Sequence, residues 1–125
     1  MGEQLGARRV SPGELVELEG TPEIRRRQAF AEPRLWAGIS TTQPGLQSGW
    51  HHHDGNDTVV YMLAGRLTVG FGEGGAVDAE AGDFLIIPAG LVHREITPSG
   101  APTEAVVRPH RRDGPPTVEV DGPAS

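Results

Sequence analysis

Residues 50 to 61 read WHHHDGNDTVVY, three histidines in a row followed closely by a β-branched run. On a strand, side chains alternate between faces, so His51 and His53 point one way and His52 the other. Two imidazoles two residues apart on one strand face can reach the same metal ion. A third ligand must come from elsewhere in the fold. Of the two remaining histidines, His93 lies in a β-like stretch and His110 in a Pro-rich tail, which favours His93. Taken alone, the histidine run also reads as a solvated polar turn. The following Asp54-Gly55-Asn56-Asp57 lacks the length and flanking helices of an EF-hand calcium loop.

The elements that must position these residues are short. Gly 18 and Pro 11 in 125 residues break the chain at close intervals and leave little room for long helices. β-like runs occur at 14–18, 24–30, 35–42, 48–53, 57–64, 66–71, 76–80, 83–87, 92–97, 103–108 and 117–120. Each is bounded by Gly, Pro, Asp or Asn, and the spacing predicts an all-β sandwich or barrel. Gly65, between 57–64 and 66–71, predicts a tight hairpin. The length is that of one domain. The expected core is Ile39, Val60, Leu63, Leu67, Val69, Phe84, Ile86, Val92 and Val106.

Composition removes several kinds of chemistry. With Cys 0, disulfides, thiolate metal sites and a cysteine nucleophile are excluded. All 11 basic residues are Arg, so there is no lysine for a Schiff base. A net charge of -6 argues against binding a phosphate backbone, and Arg25-Arg26-Arg27 reads as an exposed strand edge. No secretory apolar region and no apolar run of membrane-spanning length is present. The expectation is a cytoplasmic protein with no nucleic-acid or membrane partner.

From Gly45 the chain reads G-LQSGW-HHH-DGND-T-VVYMLA-G, and from Gly82 it reads G-DFLII-PAG-LV-H-REI-T. The first resembles the cupin motif G-x5-HxH-x3-4-E-x6-G at all but one position. The second resembles G-x5-PxG-x2-H-x3-N except at its end. Both occur in order, separated by residues 66–81, and the chain is identified as resembling a small single-domain cupin. The resemblance implies a jelly-roll β-barrel at 11–108. The ends, 1–10 and 109–125, are rich in Pro, Gly and charge and are expected to be flexible, the second with room for an extra strand. The resemblance also implies a homodimer, with 14–18 or 24–30 pairing against a partner's sheet edge.

Two positions depart from the motifs: Thr58 stands for the Glu and Thr97 for the Asn. Thr58 cannot supply a carboxylate, and Asp57 reaches the interior only through a bulge. What the resemblance leaves is a three-histidine site, His51, His53 and His93, for one divalent transition metal. Fe(II) is the first choice, with Zn, Ni, Mn or Cu open to the same ligands. Glu95, two residues beyond His93, shares its face and is the candidate catalytic base or fourth ligand. Its structural alternative is a salt bridge to Arg66 or Arg108. Val60 and Met62 would wall an apolar pocket, with Trp36 and Trp50 at its entrance or packed between sheets. The implied function is a metal-dependent enzyme on a small organic substrate. Fe(II)-dependent dioxygenase-like chemistry ranks first, then isomerase, cyclase or lyase chemistry. A non-catalytic cupin that binds a ligand or metal for sensing or storage is the alternative.

Overall fold

The computed structural model describes residues 6–19, 23–52, 57–97, 102–108 and 118–122. Of the segments expected to be flexible, residues 1–5, 109–117 and 123–125 lie outside the described residues.

Among the described residues eleven strands follow in order: β1 (Val16–Leu18), β2 (Ile24–Ala31), β3 (Trp36–Thr42), β4 (His51–His52), β5 (Thr58–Ala64) and β6 (Arg66–Gly70), then β7 (Ala76–Glu80), β8 (Phe84–Ile87), β9 (Arg94–Ile96), β10 (Thr103–Arg108) and β11 (Val118–Glu119). Among the described residues helix is limited to two 3-10 turns, Pro12–Glu14 and Gly72–Gly74. Among the described residues no helix is long and apolar enough to cross a membrane.

One antiparallel sheet runs β1-β2-β3-β10-β5-β8 and a second runs β7-β6-β9, with β4 paired to β11. Bridges Gln47↔Ile96 and His51↔His93 carry the second sheet on toward β4. The sheets face each other across Val60 and Met62 of β5, Leu67 and Val69 of β6, Ala79 of β7 and Ile87 of β8. This is the expected jelly roll.

On β5, Thr58, Val60 and Met62 are buried while Val59 and Leu63 are exposed, the alternation of a strand with one face on the core. Three expected core residues are corrected by this parity. Leu63 is out of phase with Val60 and lies 46% exposed; Phe84 and Ile86 are 72% and 65% exposed. The run Phe84-Leu85-Ile86-Ile87 is apolar at every position, so composition does not choose a face. The pairs Thr58↔Ile87 and Val60↔Leu85 do, turning Leu85 and Ile87 inward. Ile39, Val92 and Val106 are half-buried.

The expected hairpin at Gly65 is also corrected. β5 pairs with β10 and β8, whereas β6 pairs with β7 and β9. Gly65, at φ 75, is the corner where the chain passes from one sheet to the other. The strand holding Arg25-Arg26-Arg27 is not an edge, because β2 pairs on both sides, with β1 and β3. That also removes 24–30 as a free strand to offer a partner.

Pairing brings the outward residues of the large sheet into two rows. One row is Ile39–Ala105–Tyr61–Phe84 and the other is Ala37–Val107–Val59–Ile86. Both are apolar throughout.

Depth predicts mutational cost. Leu67, 1% exposed between the sheets, should lose about 2–5 kcal/mol as Leu67→Ala. Leu35, 43% exposed at the β2–β3 turn, should change by about 0.5 kcal/mol or less as Leu35→Ala. Urea unfolding of the two variants checks the difference.

Candidate metal centre

The site begins with a backbone pairing. His51 N–H donates to His93 O at 2.9 Å and His93 N–H donates to His51 O at 2.8 Å. This mutual exchange sets the two residues directly opposite each other. Both are buried, His51 at 8% and His93 at 0% exposure. Their ring centroids lie 4.3 Å apart with planes tilted by 56°.

The two rings are held by the same local device. His51 Nδ1 lies 2.9 Å from Gly49 O, and His93 Nδ1 lies 2.8 Å from Leu91 O. A carbonyl oxygen only accepts, so each Nδ1 carries the proton and each ring's lone pair sits on Nε2. A neutral imidazole with one nitrogen donating to a backbone carbonyl is the state in which histidine ligates a metal. The donor chemistry of this pair therefore fits a transition ion.

His93 is further biased toward that state. Burial pushes its pKa below the usual histidine value, and the His51 and His52 rings act the same way. The Leu91 carbonyl and the Glu95 carboxylate partly offset them.

Among the described residues no group of three His, Cys, Asp or Glu is placed to hold an ion. The expected third ligand, His53, lies outside the described residues, as does the loop Asp54-Gly55-Asn56. His52 is half-buried and is paired with Val118 of β11.

A ladder upstream of the pair sets its position. Gly45 N–H donates to Thr97 O, Thr97 N–H to Leu46 O and Ser48 N–H to Glu95 O. Glu95 N–H donates to Ser48 Oγ at 2.8 Å. From Ser48 to His51 is three steps, whereas their partners Glu95 and His93 are two apart. The extra residue is absorbed at Gly49–Trp50, a local bulge that re-aims the following histidine.

The two motif departures have distinct roles. Thr97 is 1% exposed. Its hydroxyl accepts from Leu46 N–H at 2.8 Å and donates to Gln43 O at 2.8 Å. It thus locks the turn at Gly45, whose φ is 75. Thr58 is 5% exposed and faces inward; its Oγ1 is buried with no hydrogen-bond partner among the described residues. Asp57 is exposed and accepts from Ala89 N–H at 2.8 Å. It therefore ties the first motif to the Pro88-Ala89-Gly90 turn that leads to His93, and does not turn inward as a ligand. Sequence reading gave neither Asp57 nor Ser48 this role, because both act on backbone groups of a distant strand.

Glu95 is half-buried opposite Val69 of β6, and makes no ion pair among the described residues. Trp36 is packed inside, 4% exposed, with Nε1 donating to Gln28 Oε1 at 2.9 Å. Trp50 carries the Arg94 guanidinium 4.6 Å over its ring. Val60 and Met62 point inward but belong to the packed core. A cavity of about 270 Å³ opens between β7 and β8, lined by apolar residues including Val69, Leu85 and Leu91, and neither histidine lines it.

Two outcomes follow from this geometry. Thr97→Val keeps the shape but leaves Leu46 N–H and Gln43 O without the hydroxyl, and should cost about 1–3 kcal/mol in denaturant unfolding. In chelator-treated protein, unfolded His93 titrates near ~6.5 and folded His93 lower. The unfolded chain then holds more protons between those values, so stability falls as pH drops below about 6.5 and levels above it. His93→Gln should show a shallower loss from neutral pH downward in the same melts.

The model of the cupin domain family matches residues 38–108. An uncharacterized Bacillus subtilis protein, YdbB, is 40% identical over 45 residues, which is 36% of this chain and 40% of that protein. The chain therefore matches less than half the length of that curated relative. Among solved structures, KdgF from Halomonas sp. superimposes with a TM-score of 0.73 at 21% identity, over 86% of this chain and 97% of that one. The polyketide cyclase RemF from Streptomyces resistomycificus gives 0.73 at 22% identity, over 92% and 86%. At such identities the structural likeness is one of fold. The family match takes in β10 as well as β5 to β9, the strands that carry most of both motifs, and on it this chain belongs to the cupin family.

Proposed function

We propose that the chain binds one divalent transition metal ion through His51, His53 and His93, and that it is an enzyme acting on a small organic substrate. The observation that carries this reading is the facing pair His51 and His93, each with Nδ1 fixed on a backbone carbonyl. A bound divalent ion would act as a Lewis acid, polarising a substrate oxygen.

The remaining work falls to the chain itself. Thr58 offers a buried hydroxyl with no protein partner among the described residues, able to orient a substrate oxygen. Glu95 stands beside His93 and acts on its charge. Its carboxylate, outside any described ion pair, is suited to take a proton from substrate and return it at another atom. Of the chemistries open to a three-histidine cupin, this favours proton transfer of the isomerase, cyclase or lyase kind over Fe(II)-dependent oxygenation. The polyketide cyclase RemF shows that a barrel of this shape hosts a cyclase.

Metal analysis of purified wild type, His52→Ala and His93→Ala tests the centre. Wild type and His52→Ala should carry close to one ion per chain, and His93→Ala should lose most of it. Equal loss in both variants would overturn the ligand assignment. Thr58→Glu restores a carboxylate at the motif position and should tighten binding. The class of reaction is tested by turnover without oxygen, which should persist in wild type and fall by roughly 100-fold or more in Glu95→Gln. Oxygen consumption coupled to turnover with Fe(II) would instead place the protein among the oxygenases.

A further inference from the structure

The bulge before His51 is itself in need of a support. Ser48 bonds to Glu95 and His51 bonds to His93, so Gly49 and Trp50 together stand opposite the single residue Arg94. Among the described residues no backbone hydrogen bond crosses from Gly49 or Trp50 to Arg94. The contact that does cross is between side chains: the Arg94 guanidinium lies 4.6 Å over the Trp50 ring. It sits on the outer face, back to back with the buried histidine pair, because each residue is one step along its strand from a histidine.

We propose that Arg94 is a positioning residue for the metal centre, clamping the bulge through Trp50 and so aiming the His51 ring. Arg94 is a fixed post, since its backbone pairs with Gly70 of β6. Trp50 is fixed on its other side as well, where its carbonyl accepts from Val120 N–H at 3.0 Å. The neighbouring bulge residue, Gly49, carries the carbonyl that receives His51 Nδ1. Displacing the bulge therefore moves that acceptor and turns the Nε2 lone pair away from its place. His93 has no such dependence. Its ring is held by Leu91 O, in a turn closed by Leu91 N–H on Pro88 O and tied by Asp57.

The clamp is a property of the chain alone, whereas its effect on an ion rests on the metal reading proposed above. Charge gives the clamp a distinctive sign. A cation one residue from His93 repels a divalent ion bound there. If Arg94 acted through its charge alone, removing it would tighten metal binding. If it acts through the bulge, removing it weakens binding, as loss of a partner that orients a ligating histidine does.

Calorimetric titration of zinc(II) into the full chain and its variants separates the two. Arg94→Met drops the cation and keeps most of the stem; it should bind zinc roughly 10-fold more weakly than wild type. Arg94→Lys keeps a cation able to lie over the ring and should fall between them. Arg66→Met removes an exposed cation of β6 and should stay close to wild type. Ring-nitrogen shifts of the histidines, read by NMR in chelator-treated protein, need no ion. In Arg94→Met those of His51 should move toward a mixture of tautomers, while those of His93 stay in place. Should Arg94→Met not fold, Arg94→Lys gives the same shifts in smaller measure. Zinc binding that is unchanged or tighter in Arg94→Met overturns the proposal. So do unmoved His51 shifts, or equal movement of both rings, which would be general loosening. A wild type that binds no zinc overturns the metal reading instead, and the His51 shifts still decide the clamp.

Discussion

Everything at the candidate site depends on one pair of backbone hydrogen bonds, those exchanged between His51 and His93. Side-chain geometry at a ligand site must hold to a fraction of an ångström, and flexible side chains do not supply that alone. Here the precision comes from the main chain. A mutually bonded antiparallel pair fixes the separation of two residues far apart in sequence, and two carbonyls then fix the ring orientations. A slip of one residue in this register would turn one imidazole to the opposite face and dismantle the pair.

The neighbouring structure protects that register. The Thr97 hydroxyl closes the turn before the first histidine strand. Asp57 holds the Pro88–Gly90 turn that precedes the second histidine. Ser48 and Glu95 bond through both backbone and side chain. These contacts are polar and lie at the ends of strands, where the apolar core gives little guidance. The core cluster of Met62, Leu67 and Ile87 holds the sheets together; the polar ladder decides which residues meet at their rim.

Much of this was legible in the sequence. The strand list was readable because Gly, Pro and Asp bound each run, and Thr58, Val60 and Met62 share the buried face that alternation assigns them together. The errors have a common cause. Period-two reasoning needs polar residues on one face to set the phase, and Phe84-Leu85-Ile86-Ile87 has none. Gly65 reads as a hairpin because a glycine between two strands is the same local signal whether the chain turns back or crosses to another sheet. Only the long-range pairings of β5 and β6 distinguish the two. The bulge at Gly49–Trp50 is likewise invisible without its partner strand.

The residue that breaks the first motif is informative in its own right. A glutamate at position 58 would face inward, where Thr58 is buried, and without an ion its charge would be costly to bury. Threonine removes that charge and leaves a neutral hydroxyl in the same place. The exchange lowers the metal affinity that a carboxylate would give, and it also leaves any bound ion with its full positive charge. An ion held by neutral ligands alone withdraws electrons more strongly from a substrate oxygen than one already partly neutralised. Under the proposed function, the acidity of a bound substrate would rise where Glu95 would accept the proton. Under the proposed function the substitution would not be a loss of the site but a shift in its balance, from tighter retention of the ion toward stronger polarisation of its ligand.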